Sequence, residues 1–340
     1  MHRSEVTLDL GAIARNVRTL LRVLDGAELW AVVKADGYGH GATDVAGAAL
    51  GAGATALCVA TVPEALALRR EFEGTRIVVL GPLSTSREIG HARDADIELT
   101  VSQDEIPDGV RVHLKLDTGM GRFGLRELPD RAANVVGLMT HFATADNDEA
   151  FARTQLERFL AATNDHAGVT RHAANSAATL RIPEARLDAV RCGVAVYGLS
   201  PFNTDPGDDG LEPALSWQSH LAQVKLLHAG ESTGYGRRFV AERDTWIGLV
   251  PVGYADGFRR DLTGTTVRVA GERRRAIGTV SMDSFAVELD RELPVGTPVV
   301  LLGHGVLAEE HARVADTINY EIVCGINSDP RRTRRTVANG

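Results

Sequence analysis

The stretch "AVVKADGYGHGA", residues 31–42, joins an apolar run to a glycine-rich turn, and the two parts meet at Lys34. An apolar run bounded by turn residues is typical of a buried strand, and the glycine-rich turn leads into a helical pattern. A lysine at the mouth of a buried strand is either a surface cation or a functional amine. Its position alone leaves both interpretations open.

Seven further apolar runs complete a set of eight candidate strands before residue 200. The runs are "LWAVVKA" (29–35), "ALCVAT" (56–61), "RIVVLG" (76–81), "DIELTVS" (96–102), "VRVHLKLD" (110–117), "VVGLMTHF" (135–142), "RHAANSAAT" (171–179) and "AVRCGVAVYG" (189–198). Most are nearly continuous in apolar residues and separated by helical patterns, as in parallel sheets covered on both faces. The pattern predicts an α/β protein with an N-terminal (β/α)8 barrel of the TIM type.

Two connections between these strands are short. About seven residues separate the strands at 96–102 and 110–117, and about ten separate Gly124 from Val135, whereas a crossover with its helix needs a dozen or more. We therefore expect outer helices to be shortened or lost at these two places.

The rhythm changes from about residue 211, where short alternating runs are separated by turn residues. This pattern predicts a mainly antiparallel β domain, interrupted by one helix over 308–318. The stretch "FNTDPGDDGLEP" (202–213) is rich in Pro, Gly and Asp and is typical of a linker. We expect a cofactor-binding barrel over 10–210 and a β domain over 211–340, joined by an N-terminal strand within 1–9.

Composition excludes several functional classes. The chain has 340 residues, a formal net charge of -8 and interspersed charges, which argues against a nucleic-acid partner. No apolar run approaches the ~20 residues of a membrane span, and the N-terminus has no apolar signal core, so we expect a cytoplasmic protein that does not bind membranes. The three cysteines are isolated, which predicts neither a disulfide framework nor a metal site.

Cationic and polar residues recur where candidate strands end. Arg122 lies at the tip of the turn in "HLKLDTGMGRFG" (113–124), and Arg191 opens "RCGVAVYG" (191–198). Asn175 and Ser176 lie at a strand-to-helix corner, where backbone N–H groups favour phosphate. Arginines are rarely buried unless they bind an anion or an acceptor, and lysines form Schiff bases. With Lys34, this set points to pyridoxal 5'-phosphate (PLP).

Several motifs, in order along the chain, resemble the alanine racemase family of fold-type III PLP enzymes. They are "AVVKADGYGHG", "KLDTGMGRFG", "THFATAD", "ANSAA", "VRCGVAVYG", "GYG", "VGYADG", "SMDS" and "TINYE". The resemblance covers roughly residues 4–324.

The resemblance implies two catalytic bases on opposite faces of the substrate. Lys34 would hold PLP covalently and, once released, act as one base, and Tyr235 from the other subunit would act as the second. Racemisation removes a proton from one face of Cα and returns it to the other, so two flanking bases suit the reaction. A homodimer with shared active sites follows from this arrangement.

Arg191 bears on the type of reaction. Arginine donates hydrogen bonds without giving up its proton, so a pyridine nitrogen facing Arg191 stays an unprotonated acceptor. The weaker electron sink favours quick return of the proton and hence racemisation.

The resemblance also implies binding roles. The residues expected at the cofactor are Lys34, Tyr38, His141, Asn175, Ser176, Arg191, Gly193, Val194 and Tyr320. Arg122 and Met282 would contact the substrate. The expected supporting or entrance residues are Lys115, which is carbamylated in family members, Asp146, Tyr254, Arg259 and Asp283. No metal is expected.

Three features depart from the family pattern. Ser281 replaces a frequent cysteine, and Thr279 replaces an arginine that can pair with the aspartate at Asp146. The chain ends soon after "NYEIVC" without the usual longer terminal strand pattern, which indicates a trimmed member.

The leading interpretation is interconversion of L- and D-alanine for peptidoglycan precursors. The sequence leaves open a serine or broad-specificity racemase of the same family. A fold-type III decarboxylase would typically carry a Gly-Gly-Gly phosphate loop and a catalytic cysteine, for which Cys324 is a weak candidate. A non-catalytic PLP carrier would lack the C-terminal β domain that supplies Tyr235 and Met282.

Overall fold

The computed structural model describes residues 2–82, 85–129, 132–166, 168–303 and 305–339. The chain divides into two compact units. One comprises Met1–Ala12, Asn203–Asp208 and Glu212–Gly340, and the other comprises Ile13–Phe202 and Asp209–Leu211. The chain begins with β1 (Glu5–Asp9) and α1 (Leu10–Val23).

The second unit is built around a closed barrel of eight parallel strands. The strands are β2 (Glu28–Val32), β3 (Ala56–Val59), β4 (Arg76–Val79), β5 (Glu98–Val101), β6 (Val112–Lys115), β7 (Val135–Met139), β8 (Thr170–His172) and β9 (Ala189–Cys192). Each pairs with its neighbour in sequence, and β9 closes on β2. The predicted (β/α)8 barrel is confirmed, strand by strand.

Besides a 3₁₀ turn over Pro183–Ala185, six helices or helical turns connect these strands in the described residues. They are α2 (Lys34–Tyr38), α3 (Ala42–Gly51), α4 (Val62–Glu71), α5 (Ser86–Asp94), α6 (Glu149–Thr163) and α7 (Ser176–Arg181). No helix is described between β5 and β6 or between β6 and β7, as their spacing predicts; Asp130 and Arg131 lie outside the described residues. Across the described ranges, no helix is both long enough and apolar enough to cross a membrane.

Two candidate strands end earlier than their apolar runs suggest. The run at 171–179 is a strand only to His172, because Asn175 caps α7 by accepting a hydrogen bond from the Ala178 N–H. The run at 189–198 is a strand only to Cys192, after which a 3₁₀ turn spans Val194–Tyr197. In both cases the strand ends just before residues that are predicted to bind the cofactor, Ser176 in the first case and Gly193 in the second.

The first unit contains a nine-stranded sheet in the order β11-β14-β17-β16-β15-β18-β10-β1-β19. Its remaining strands are β10 (Leu215–His220), β11 (Gln223–Leu227), β14 (Thr245–Val250), β15 (Thr266–Val269), β16 (Glu272–Ile277), β17 (Phe285–Leu289), β18 (Pro298–Leu302) and β19 (Arg334–Ala338), beside a separate pair, β12 (Ser232–Thr233) and β13 (Phe239–Val240). All pairings are antiparallel except that of β1 with β19.

Two expectations about this unit are wrong. The helix predicted over 308–318 ends earlier, as α8 (Ala308–Val314), because Asp316 takes a left-handed φ of 50°, and a second helix that was not predicted, α9 (Asn319–Cys324), follows it. The chain does have a terminal strand, β19, which pairs along the whole of β1. Its sequence is polar and mostly exposed, as suits the edge of a sheet, and it therefore lacks the apolar pattern that marks inner strands.

Candidate active site

Lys34 begins a strained turn directly after β2. Ala35, Asp36 and Gly37 have φ values of 52°, 50° and 61°, so the turn is left-handed. Left-handed geometry costs a non-glycine residue roughly 1–2 kcal/mol. Hydrogen bonds hold the turn: the Ala35 N–H donates to Oε1 of Glu64 at 2.8 Å, and the Ala42 N–H donates to Oδ1 of Asp36 at 2.9 Å. Strain of this kind is typical of functional sites.

Three loops of the barrel converge on Gly193. A Cβ built on Gly193 would lie 2.5 Å from the Tyr38 hydroxyl, so any side chain there would force Tyr38 to move. The N–H groups of Gly193 and Ala195 donate to Oγ of Ser176 at 3.1 and 3.3 Å. The resulting cradle of hydroxyl and backbone N–H groups has the chemistry of a phosphate site.

Asn175 has a structural role beside this cradle. Its Oδ1 accepts from the Ala178 N–H at 3.0 Å, which makes it the N-cap of α7. Val194, which follows Gly193, is buried.

Arg191 is buried on β9 and anchored by its two terminal nitrogens. Nη1 donates to the His172 carbonyl at 2.9 Å, and Nη2 donates to the carbonyls of Thr140 and Ala173 at 2.8 and 3.1 Å. Nη1 also lies 2.7 Å from Nδ1 of His172. Burial lowers the pKa of Arg191 to about 10, which still leaves it a cation at neutral pH.

His141, just after β7, contacts this guanidinium. Nη2 of Arg191 lies 3.3 Å from Nδ1 of His141. Burial, followed by the charge of Arg191, holds the pKa of His141 well below its usual range. His141 is therefore a neutral imidazole that accepts a hydrogen bond from Arg191.

Lys115, at the end of β6, is buried among cations. Burial, followed by the charges of Arg122 and Arg191, lowers its pKa to about 8 against the opposing effect of Asp117. Lys34 adds a smaller lowering. Arg122 itself is exposed, which corrects the expectation of a buried arginine there. This part of the barrel is therefore suited to an anionic ligand.

Lysine is scarce in this chain. Its only lysines are Lys34, Lys115 and Lys225, among 37 lysines and arginines in total. Arginine stays charged, whereas a buried lysine can lose its proton and react. Two of the three lysines follow or end barrel strands, where a reactive amine is useful.

The first unit, called the C-terminal unit from here on, carries several candidate residues on exposed loops that are connected by hydrogen bonds. Tyr235, Met282 and Tyr254 are 69%, 53% and 40% exposed. Oγ1 of Thr279 donates to the Tyr235 carbonyl at 2.8 Å, so Thr279 has a structural role. The Tyr254 N–H donates to the Ser281 carbonyl at 3.0 Å, across a gap that a Cβ on Gly253 would close.

The remaining predicted residues are held by ion pairs or lie apart. Asp283 accepts from Nη2 of Arg332 at 2.6 Å, and Arg259 pairs with Asp261 at 2.6 Å and with Glu321. Tyr320 is half-buried on α9 and Asp146 is exposed after β7.

Sequence reasoning missed a set of polar residues inside the barrel. Glu98, His113 and His172 are buried on β5, β6 and β8 and connect to Arg191. Their signal was present as polar letters within apolar runs, such as the histidine in "VRVHLKLD".

The barrel residues fit PLP. Gly193, Ser176 and Tyr38 form a cradle that a single methyl group on Gly193 would fill. Lys34 supplies an amine, and Arg191 supplies a buried cationic donor. Phosphate, aldehyde and ring nitrogen each find a partner of suitable chemistry.

Comparison with known proteins covers nearly the whole chain. Residues 8–201 match the family described as alanine racemase, N-terminal domain, and residues 214–335 match alanine racemase, C-terminal domain. The chain is 40% identical to alanine racemase 1 of Bacillus subtilis, over 98% of this chain and 92% of that protein. It is 42% identical to the alanine racemase of Symbiobacterium thermophilum, over 94% of each.

Solved structures agree. The biosynthetic alanine racemase of Pseudomonas aeruginosa has a TM-score of 0.92 at 34% identity, with full coverage of both chains. The alanine racemase of Bacillus anthracis with bound L-Ala-P has a TM-score of 0.87 at 35% identity, over 100% of this chain and 96% of that one. The chain belongs to the alanine racemase family.

Proposed function

We propose that this protein is a PLP-dependent racemase that interconverts L- and D-alanine with Lys34 and Tyr235 as its two bases. The observation that carries the proposal is the meeting of Tyr38, Ser176 and Gly193 in one phosphate-like cradle within the barrel that carries Lys34 and Arg191. The relatives named alanine racemase support alanine as the substrate.

The cofactor would be held by residues of the barrel. Tyr38, Ser176, Gly193 and Val194 would bind its phosphate, joined by Tyr320, and Lys34 would bind its aldehyde carbon. When bound, PLP supplies an electron-withdrawing ring that makes the α-proton of the substrate acidic. Asn175 would shape the cradle through its cap of α7.

Arg191 would favour racemisation because its guanidinium does not give up its proton. A guanidinium with a pKa of about 10 keeps its proton at neutral pH, so Arg191 would hold the ring nitrogen of PLP by a hydrogen bond without protonating it. PLP held in this way would supply a weaker electron sink, which would favour quick return of the proton to Cα. Racemisation is favoured over decarboxylation and transamination.

Tyr235 needs an environment that a single chain does not provide. A tyrosine with a pKa near 10 is a weak base at neutral pH unless nearby cations stabilise its phenolate. Tyr235 is 69% exposed and Met282 is 53% exposed. We infer a homodimer in which Tyr235 and Met282 enter the barrel of the partner subunit, where His141 and Arg191 have their counterparts.

Arg122 would bind the substrate, and Lys115 would support Arg122. With its pKa near 8, Lys115 has an appreciable neutral fraction at neutral pH, and a neutral amine can add carbon dioxide. The resulting carbamate would be an anion able to orient Arg122. Asp146, Tyr254, Arg259 and Asp283 are assigned to the entrance and its support.

The cellular role follows from the reaction. D-Alanine is needed for peptidoglycan precursors, and we place the enzyme in the cytoplasm. None of the described cysteines, Cys58, Cys192 and Cys324, forms a disulfide, as suits a reducing compartment. We assign residues 10–210 to the cofactor domain and 211–340 to the domain that supplies the second base.

The decisive experiment is a chiral assay of the purified protein with PLP and L-alanine. We expect D-alanine to form until both enantiomers are equal. Parallel assays with serine, lysine and arginine test the substrate range. Faster turnover of a bulky substrate would contradict the alanine assignment, and release of carbon dioxide would indicate a decarboxylase.

A further inference from the structure

A continuous line of hydrogen bonds runs through the buried interior of the barrel. Oε2 of Glu98 lies 2.8 Å from Nε2 of His113, and Nδ1 of His113 lies 2.9 Å from Nε2 of His172. Nδ1 of His172 lies 2.7 Å from Nη1 of Arg191. All four side chains are at most 3% exposed, and they come from β5, β6, β8 and β9.

The two ends of this line determine where its protons lie. Arg191 can only donate, so Nδ1 of His172 must accept and Nε2 of His172 carries the proton. That proton is donated to Nδ1 of His113, whose own proton is then on Nε2 and is donated to Glu98. Every bond is satisfied with two neutral imidazoles in the same tautomer.

The charge states agree with this arrangement. Burial would raise the pKa of Glu98, but the hydrogen bond of His113, with the charges of Arg76 and Arg111, holds it below its usual value. Burial lowers the pKa of His113 and of His172. Glu98 is therefore a carboxylate, and both imidazoles are neutral.

The barrel is shaped to admit this line. A Cβ built on Gly137 of β7 would lie 2.0 Å from Nδ1 of His113. Gly137 has no positive φ, so its lack of a side chain serves space alone. The ring of Trp30 packs against His172 at 4.6 Å and His113 at 5.7 Å between centroids. Any side chain at 137 would displace the histidine.

The stability of the barrel does not explain why these polar side chains are buried inside it. Interiors of these barrels are usually filled by branched apolar side chains, and replacing buried charged networks by apolar groups is often neutral or stabilising. A buried carboxylate linked through two imidazoles to Arg191 therefore calls for another purpose.

We propose that Glu98, His113 and His172 are positioning residues that hold the Arg191 guanidinium in orientation, with Glu98, which is itself paired with Arg111 at 3.1 Å and Arg76 at 3.4 Å, fixing the far end of the line. A carboxylate placed directly beside the cofactor's ring nitrogen would favour protonation of that nitrogen. Two neutral imidazoles keep the carboxylate away while fixing Nη1 of Arg191. The inference rests on the proposed function, because it assumes that Arg191 faces the ring.

The first test locates the protons directly. Neutron diffraction from the deuterated holoenzyme should show deuterium on Nε2 of both His113 and His172 and none on either Nδ1. Deuterium on Nδ1 of either ring would overturn the proposal. The outcome does not depend on which amino acid is racemised, so failure here is distinct from failure of the proposed function.

The second test removes the charge while keeping the shape. In Glu98→Gln the amide oxygen can still accept from His113, but the carboxylate charge that anchors the end of the line to Arg111 and Arg76 is lost. We expect kcat to fall about tenfold with KM nearly unchanged, and the visible absorbance band of the bound cofactor to shift. A lower unfolding temperature with unchanged kcat per cofactor-loaded site would show a merely structural role and refute the proposal.

A third variant breaks the line without touching a polar group. Gly137→Ala should displace His113 and lower kcat as Glu98→Gln does. Gly90→Ala is the matched control, because Gly90 lies on α5 with no atom within 4 Å of an added Cβ. If Gly137→Ala keeps full kcat while its crystal structure shows His113 displaced, the proposed positioning role of the line of hydrogen bonds is excluded. Should Gly137→Ala fail to fold, the neutron experiment on the unaltered chain still decides.

Discussion

The barrel and the C-terminal unit present their candidate residues in opposite ways. Ser176, Arg191 and Lys115 of the barrel are almost fully buried, whereas Tyr235 and Met282 of the C-terminal unit are more than half exposed. Burial supplies the barrel residues with perturbed pKa values, such as that of Lys115 near 8.

The difference indicates how the work is divided. The barrel contains what is needed to bind a phosphorylated cofactor, since its cradle and its cations belong to one unit. The C-terminal unit presents a base on an exposed loop, and that base needs the environment of another surface. Cofactor binding should therefore depend mainly on the barrel residues, and racemisation on both groups.

The largest effect is expected from Lys34→Ala. Because Lys34 would both bind the cofactor and move a proton, racemase activity should fall by at least roughly 10⁴-fold. The visible absorbance band of the bound cofactor should disappear. Lys225→Ala on β11 is the matched control and should retain both properties. A band that persists in Lys34→Ala would place the cofactor elsewhere.

Tyr235→Phe should separate the two regions. Removing one of two bases should lower racemisation by roughly 10²–10⁴-fold while cofactor affinity stays unchanged. In D₂O, exchange of the α-proton should persist for one enantiomer and fail for the other. Equal exchange of both enantiomers at the original rate would refute the two-base assignment.

The contrast between the regions also explains what could be foreseen from sequence. The eight barrel strands were predictable because strands buried on both faces have nearly continuous apolar sequences. β19 was not, since "RRTVA" lies at a sheet edge and its pairing with β1 leaves no apolar signature. The proposed roles of Tyr38, Ser176 and Gly193 come from family resemblance, and the close approach of the Tyr38 hydroxyl to Gly193 supports them.

The line of hydrogen bonds inside the barrel could not be predicted from the sequence. Glu98, His113 and His172 are spread over 75 positions, and nothing local pairs them. Their connection exists only because β5, β6, β8 and β9 close into one barrel. The exposure of Arg122 was likewise hidden, because its position at the tip of a turn does not reveal which way the side chain points.

Gly193→Ala should weaken cofactor binding by the barrel and leave the C-terminal unit unaffected. The added methyl group would lie 2.5 Å from the Tyr38 hydroxyl, so one of them must move. We expect the Kd of PLP, measured by equilibrium titration, to rise about 10–100-fold, or ~1.4–2.8 kcal/mol. Racemase activity at saturating cofactor should recover most of its original value. Gly90→Ala, which meets no neighbouring atom, should leave the Kd unchanged.

The smallest effect concerns Lys115 and pH. Its pKa is lowered from 10.5 to about 8, chiefly by burial, so the neutral amine that can form a carbamate becomes abundant as pH rises through 8. Between pH 8 and 10.5 the unfolded chain keeps a proton that the folded chain has lost, so this group makes stability rise with pH in that window. With ¹³C-bicarbonate, a carbamate signal should appear and kcat/KM should rise a few-fold, roughly the value of one charge-assisted hydrogen bond to Arg122.

Matched lysine variants decide whether that signal belongs to the buried region. Lys115→Met should abolish the carbamate signal and the response to bicarbonate, whereas Lys225→Met should preserve both, because Lys225 is exposed. A signal that survives in Lys115→Met would show that burial does not select the modified lysine. A bicarbonate response without any carbamate signal would mean that the low pKa of Lys115 serves proton transfer, which would move Lys115 from substrate orientation to the chemistry itself.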